Sequence, residues 1–271
     1  MTAFPCRNKN VNGPEHPGGN EGGKKMKQYI FGHRGASGYA PENTLEAFSL
    51  AAEMGADGVE LDVHLTKDGE LVVTHDERID RVSDGSGLVA DMTLAELKKF
   101  RFNRTFPEYE HAAIPTLKEV FELLAPTGLM INAELKNGCI DYPDLEKKVI
   151  ELAAKENFLD RLIFSSFNHY SMRRVKEVDK HLYCGLLYDA TLFESWNYAA
   201  GLGMDALHPQ FWEPLVIGGE CEAAHRAGIE INTWTVNGED DIRRVLRAGV
   251  DRVISNYPDR ALRILREENA K

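Results

Sequence analysis

Short apolar runs alternate with amphipathic segments along the chain from residue 28 onward. Eight runs have the length and composition of buried strands, at 29–33, 58–65, 128–135, 161–167, 182–188, 204–209, 229–236 and 251–256. Between them lie segments with apolar residues at helical spacing, among them 44–54, 143–157, 168–178 and 238–248. Strands that alternate with helices pair in parallel through right-handed crossovers. Eight such units predict an α/β fold, a (β/α)8 TIM barrel.

The second strand, GVELDVHL at 58–65, carries three polar residues on one face. Side chains alternate along a strand, so its aliphatic residues point one way and Glu60, Asp62 and His64 point the other. In a barrel the aliphatic face packs against the helices, which turns the two acids inward. Buried carboxylates are costly unless they lie at the open mouth and bind a cation. We therefore expect a metal site here, and we assign no role to His64.

The third barrel strand repeats the pattern, with Asn132, Glu134 and Lys136 on one face. Glu134 and Lys136 fall at its C-terminal end, where TIM barrels build their active sites. Three carboxylates from adjacent strands suit a hard divalent cation such as Mg²⁺ or Ca²⁺. The predicted metal ligands are Glu60, Asp62 and Glu134.

Two regions depart from the alternation. The run ELVVTHD (70–76) follows a KDG turn and predicts a hairpin strand over the barrel mouth. The next residues, about 77–115, form a small insertion after the second strand, of a length usually associated with a lid or specificity loop. Residues 1–27 are rich in Gly, Pro, Asn and Lys, so we expect a flexible leader before one domain at 28–271.

Two histidines lie at strand ends near the same predicted mouth. His33 and Arg34 close the first strand and His75 closes the hairpin. Two imidazoles suit a general acid and a general base, and Arg34 and Lys136 add positive charge suited to phosphate. A metal, two histidines and two cations indicate hydrolysis or transfer at a phosphodiester.

Four residues carry weaker signals. Trp234 and Phe167 lie near strand ends and either wall the pocket or pack in the core. Asn256 follows the last strand and either orients a ligand or caps the final helix. Asn43, three residues before Glu46, fits a helix N-cap with a capping-box acid.

Composition and charge narrow the class of protein. The net charge of −11 argues against nucleic acid or an anionic membrane as partner. No apolar run approaches the ~20 residues that span a bilayer, and the N-terminus lacks the apolar region of a secretory signal. The four cysteines show no zinc-site spacing. We expect a cytoplasmic enzyme, monomeric or homodimeric, with a small-molecule substrate.

Taken together, the motifs resemble the glycerophosphodiester phosphodiesterase family. The resemblance rests on HRGASGYAPENT (33–44), ELDVHLTKDGELVVTHD (60–76), AELK (133–136), TWTVN (233–237) and SNYPD (255–259). In order and spacing these motifs cover nearly the whole chain from residue 28. One departure is Ser255-Asn256, where many relatives carry Thr-Asp.

The resemblance implies a TIM barrel that cleaves glycerophosphodiesters to sn-glycerol 3-phosphate and an alcohol. It implies that the three predicted ligands hold Mg²⁺ or Ca²⁺ and that His33 and His75 are the acid/base pair. It also implies that Arg34 and Lys136 bind phosphate. The insertion is short, which argues against the longer periplasmic type of enzyme.

Three alternatives remain open from the sequence. A lysophospholipase D or phospholipase-like phosphodiesterase on the same barrel would act on lipids, and the aromatic-rich FRFNRTFPEY (100–109) is consistent with it. A phosphodiester-binding protein without catalysis is disfavoured by the intact histidines and carboxylates. A metal-dependent amide hydrolase would carry an H-x-H pair on the first strand, which FGHRG lacks.

Overall fold

Within the described residues, 27–271, eight parallel strands close into a barrel in the computed structural model. The predicted leader at 1–27 lies outside the described residues, apart from Lys27. The strands are β1 (Tyr29–His33), β2 (Gly58–Leu65), β3 (Leu71–Val73), β4 (Met130–Leu135), β5 (Leu162–Ser166), β6 (Tyr183–Tyr188), β7 (Ala206–Pro209), β8 (Glu230–Thr233) and β9 (Arg252–Ser255).

The strand order confirms the predicted TIM barrel. The order is β1-β9-β8-β7-β6-β5-β4-β2, and pairing of β1 with β2 closes the ring. The remaining strand, β3, lies outside the ring and pairs antiparallel with β2 as the predicted hairpin. All eight barrel strands therefore end at the same mouth.

Helices surround the barrel and cover the outward faces of its strands. They are α1 (Leu45–Glu53), α2 (Leu94–Leu97), α3 (Leu117–Leu124), α4 (Leu145–Lys155), α5 (His169–Val178), α6 (Ser195–Gly201), α7 (Glu213–Val216), α8 (Glu220–Arg226), α9 (Glu239–Ala248) and α10 (Pro258–Asn269). The four predicted helical segments are confirmed as α1, α4, α5 and α9, each slightly shorter than predicted. Among residues 27–271, no helix combines the length and apolarity needed to cross a membrane.

The two faces of the barrel strands enter different cores. Val59, Leu61 and Val63 of β2 are fully buried in the large core between strands and helices. Phe31, Ile163 and Ile254 belong to a separate small apolar cluster. They lie on the opposite strand face, which points into the barrel. Because the outward positions are filled with aliphatic residues, the polar residues of β2 and β4 must point into the barrel.

The insertion between β3 and α3 has an apolar cluster of its own. Its buried members are Val72, Ile79, Val82, Val89, Leu97, Phe102 and Ile114. The hairpin register pairs Val63 with Val73, so the chain leaves β3 close to the C-terminal end of β2. The insertion is thus a packed unit joined to the strand that leads to His75.

Two buried carboxyl groups of the helices α7 and α8, Glu213 and Glu220, lie side by side. Tyr188 Oη donates to Glu213 at 3.0 Å and Ser195 Oγ donates to Glu220 at 3.2 Å. Burial and the neighbouring Glu213 raise the pKa of Glu220 to about 8. The folded protein therefore favours the neutral form of Glu220, and ionisation at higher pH costs stability.

Replacing Glu220 with Gln is expected to stabilise the protein above pH 5. Glu220 ionises near 4.5 in the unfolded chain and near 8 in the folded protein, so it lowers wild-type stability between these values, and the variant lacks this loss. The shift sets an upper bound of roughly 4–5 kcal/mol on the gain at pH 8. Urea unfolding from pH 4 to pH 8 measures it, with exposed Glu222→Gln on the same helix as control. A variant less stable than wild type at pH 8 would contradict the expectation.

Candidate active site

Three carboxylates converge at the C-terminal ends of β2 and β4. The pleat of β2 turns Glu60 and Asp62 into the barrel, and the strand register places Glu134 of β4 beside Asp62. One ligand oxygen from each of the three lies within 4.8 Å of the others. Asp62 is 0% exposed and Glu60 is 5% exposed. The structure thus brings together the three acids predicted as metal ligands.

Two cations neutralise part of this buried charge. Lys136 Nζ lies 2.8 Å from a Glu134 oxygen and 3.6 Å from Asp62 Oδ1. Arg34 Nε lies 3.5 Å from Asp62 Oδ2. Although burial opposes ionisation, Lys136 and Arg34 hold the pKa of Asp62 well below its usual range. Burial and Asp62 raise the pKa of Glu60 well above its usual range, so full ionisation of the cluster needs further positive charge.

The cluster fits a divalent cation. Asp62 Oδ1 is buried and has no hydrogen-bond partner among the described residues. An unsatisfied buried acceptor costs about 1–3 kcal/mol, more for a charged group. A cation bound between the carboxylates would remove this cost and allow Glu60 to ionise. The donors are all carboxylate oxygens, which Mg²⁺ and Ca²⁺ prefer.

His33, the last residue of β1, is held in one tautomer. Its Nδ1 donates to Asn256 Oδ1 at 2.7 Å, because an amide oxygen only accepts. The lone pair therefore lies on Nε2, 3.9 Å from Glu60 Oε2. Burial and the adjacent Arg34 lower the pKa of His33 to about 4. Thr235 Oγ1 lies 3.5 Å from this Nε2, a long and weak contact. A neutral imidazole with its lone pair on Nε2 is suited to accept a proton.

His75 follows β3 and is oriented by its neighbour in sequence. Its Nδ1 donates to Asp76 Oδ1 at 2.5 Å, and no residue of 27–271 hydrogen-bonds to its Nε2. The carboxylate of Asp76 fixes the ring and balances the charge of a protonated imidazole. His64, which the sequence left without a role, lies behind this residue: its Nε2 donates to the His75 backbone oxygen at 3.1 Å. His64 therefore holds the backbone at His75.

Phe167 and Trp234 lie after β5 and β8 and contact each other. Their rings meet edge to face with centroids 5.6 Å apart. Trp234 Nε1 donates to the His208 backbone oxygen at 2.8 Å, which fixes the indole. Phe167 is 46% exposed and presents its ring at the mouth, whereas Trp234 is partly buried and packs against the small apolar cluster inside the barrel.

The prediction that Asn43 caps α1 is wrong. Thr44 is the N-cap, with an extended backbone and a side-chain oxygen that accepts from Ala47 N at 3.3 Å. Asn43 has a left-handed φ of 57°, and its Nδ2 donates to Asp62 Oδ2 at 2.8 Å. Asn43 therefore positions the central carboxylate. Asn256 orients His33 and does not cap α10, whose N-cap, Tyr257, makes no side-chain capping bond.

Three charged residues around the site were missed by sequence reasoning. They are Glu42, Asp76 and Arg81, which bond to one another and to the site residues. Asp76 directly follows His75, and Glu42 directly precedes Asn43, so adjacency was a usable signal for both. Arg81 lies in the insertion, and no spacing rule connects it to the barrel strands.

Comparisons with known proteins agree with this geometry. Residues 33–260 match the glycerophosphoryl diester phosphodiesterase family. A glycerophosphodiester phosphodiesterase of Caldanaerobacter subterraneus subsp. tengcongensis is 44% identical over 243 residues, 89% of this chain and 99% of that protein. One of Bacillus altitudinis is 40% identical over 241 residues, 88% of this chain and 98% of that protein.

A solved structure adds a ligand. An Oleispira antarctica phosphodiesterase in complex with the product sn-glycerol-3-phosphate is similar, with a TM-score of 0.79 and 30% identity over 89% of this chain and 97% of that chain. The family match runs from His33 past Asn256, and so includes every residue of the site described above. It confirms the resemblance drawn from the motifs and the assignment as an enzyme. The chain therefore belongs to the glycerophosphoryl diester phosphodiesterase family.

Proposed function

We propose that this enzyme hydrolyses glycerophosphodiesters to sn-glycerol 3-phosphate and an alcohol, with a divalent ion held by Glu60, Asp62 and Glu134. The observation that carries the proposal is the convergence of these buried carboxylates with two imidazoles that are each held through Nδ1. The product bound by the Oleispira relative supports sn-glycerol 3-phosphate as the released phosphate ester.

The side chains divide the chemistry between them. Arg34 and Lys136 would attract the phosphate and balance the charge on its oxygens. The ion, Mg²⁺ or Ca²⁺, would supply further charge stabilisation when bound. His33 Nε2 would take the proton from the attacking hydroxyl or water, because this imidazole is neutral. His75 would give a proton to the leaving alcohol oxygen, with Asp76 balancing its charge.

A substrate panel tests the proposed function. Glycerophosphodiesters with choline, ethanolamine, glycerol and inositol as the alcohol are incubated with the enzyme, and release of glycerol 3-phosphate is measured. We expect release from at least one of them, and loss of release in excess chelator. Absence of release from every short-chain diester, with metal supplied, would overturn the proposal.

Exposed aromatic residues support a second candidate function, hydrolysis of lysophospholipids or related lipid phosphodiesters. Besides Phe167, Tyr170 is 75% exposed and Phe193 is 90% exposed, on segments that follow β5 and β6 at the mouth. Aromatic side chains offer large apolar contact area to an acyl chain. The aromatic-rich stretch at 100–109 supports this candidate less, because Phe102 is buried in the insertion's own cluster.

Removing two of these aromatic side chains distinguishes the two candidate functions. Replacing Tyr170 and Phe193 with Ser is expected to lower kcat/KM for a lysophospholipid ~10-fold, equivalent to about 1.4 kcal/mol of lost contact. Activity on glycerophosphocholine should stay unchanged. Val178→Ser is the control, because Val178 is also half exposed but ends α5 far along the chain from β5. Equal losses on both substrates would remove the lipid candidate.

A further inference from the structure

Arg81, a residue of the insertion, binds two carboxylates at once. Its Nε and Nη2 lie 2.7 and 3.2 Å from the two oxygens of Asp76. Its Nη1 and Nη2 lie 2.7 and 2.8 Å from the two oxygens of Glu42. Both contacts are bidentate, the geometry in which a guanidinium group gives most direction and strength.

Each of these carboxylates holds a residue of the site. Asp76 accepts from His75 Nδ1 at 2.5 Å. Glu42 accepts from Arg34 Nη1 at 2.8 Å, and Arg34 Nε in turn lies 3.5 Å from Asp62. A continuous chain of charged contacts therefore runs from the imidazole after β3 through Arg81 to the guanidinium after β1.

The insertion anchors the backbone at Arg81. The residue ends a single helical turn at Ile79–Arg81, and Ile79 and Val82 on either side of the arginine are buried in the insertion's cluster. Exposed ion pairs usually contribute little to stability because their side chains are mobile. Here the backbone is anchored, both contacts are bidentate, and Glu42 is mostly buried.

We propose that Arg81 is a positioning residue for the reaction, fixing His75 through Asp76 and Arg34 through Glu42. The insertion thereby acts as a brace that holds the loops after β1 and β3 in a fixed relation. The charge states of the two carboxylates support this role. Although burial opposes ionisation of Asp76, hydrogen bonds from Arg81 and His75 lower its pKa to about 2. Glu42 is likewise kept ionised, since Arg81 and Arg34 outweigh burial and lower its pKa. This inference rests on the proposed function.

The test is chemical rescue of an alanine variant. Arg81→Ala is expected to lower kcat/KM ~10- to 100-fold, because misplacement of about 1 Å in a catalytic group has effects of this size. Arg81 is 44% exposed on its side chain, so free guanidinium can reach the vacated position. On the order of 10 mM guanidinium chloride, far below the molar range that unfolds proteins, should restore activity several-fold. Arg81→Lys should keep less activity than the wild type, because an ammonium group cannot bind two carboxylates bidentately.

Arg78→Ala is the matched control. Arg78 lies three residues away and pairs with Asp80 at 3.1 Å on the surface, without contact to Glu42 or Asp76. This variant should keep wild-type activity and show no activation by guanidinium, and sodium chloride at equal ionic strength should rescue neither. Arg81→Ala with wild-type turnover, or a loss that guanidinium does not repair, overturns the inference.

A second measurement does not depend on turnover. At a pH high enough to make the His75 ring neutral, its ¹⁵N shifts report its tautomer, and in the wild type the remaining proton should lie on Nδ1, facing Asp76. In Arg81→Ala we expect a mixture of tautomers, with His33 unchanged because Asn256 holds it. An unchanged His75 overturns the inference. A wild-type enzyme with this tautomer but without phosphodiesterase activity would instead contradict the proposed function alone.

Discussion

Replacing His33 or His75 with Ala is expected to lower kcat by ~10²–10⁴, the usual contribution of a positioned general acid or base. Each imidazole has its Nδ1 bonded, to Asn256 or Asp76, which leaves Nε2 as the nitrogen for proton transfer. Neither ring contributes to the apolar cores, so the variants should fold. His181→Ala is the control, since His181 is an exposed histidine after α5. Steady-state rates with circular dichroism as a folding check measure the effect.

The identity of the acid follows from a change of leaving group. A glycerophosphodiester of p-nitrophenol expels a stable phenolate that needs no proton, so loss of the acid matters little. His75→Ala should then recover most of the wild-type rate, whereas His33→Ala should stay impaired. The reverse pattern would exchange the two roles. Near-unchanged turnover of either variant on the natural alcohol esters would exclude that histidine from proton transfer.

The barrel and the carboxylate cluster could be predicted from sequence because both follow from short periodicities. Alternation along β2 and β4 decides which residues face inward, and parallel register then places neighbouring inward residues together. Glu60, Asp62 and Glu134 needed only these two rules. The end of β8 shows where prediction from periodicity fails. The apolar run predicted a strand to residue 236, but β8 ends at Thr233, and the Trp234 backbone oxygen accepts from Phe211 in the loop after β7.

The residues that hold the site in place were harder to predict because their contacts arise between loops. Asn43 has a left-handed backbone and bonds to Asp62, while the next residue, Thr44, caps the helix. Arg81 meets Glu42 from 39 positions along the chain, through the fold of an insertion with no regular period. Such contacts depend on loop conformation, and neither alternation nor helical spacing reports it.

Removal of the divalent ion is expected to abolish turnover, with restoration when Mg²⁺ or Ca²⁺ is added back. Without it, the site holds carboxylates at short range, and Arg34 and Lys136 balance only part of their charge. Glu60→Gln keeps the shape of the site but removes one charge, so it should weaken metal affinity ~10- to 100-fold, a range typical of altered metal surroundings. Raising the metal concentration should partly restore its activity.

Thermal unfolding measures binding of the same ion without any reaction. A ligand that binds only the folded state stabilises it by RT ln(1 + [L]/Kd), so the wild-type Tm should rise with metal concentration. Glu60→Gln should show the same rise displaced to higher concentration, while exposed Glu222→Gln follows the wild type. The larger Tm response at equal free concentration identifies the preferred ion, since Mg²⁺ needs near-octahedral geometry and Ca²⁺ accepts more irregular oxygen ligands. A chelated enzyme that keeps full activity, with a Tm indifferent to both ions, would show that the three carboxylates bind no metal needed for the reaction.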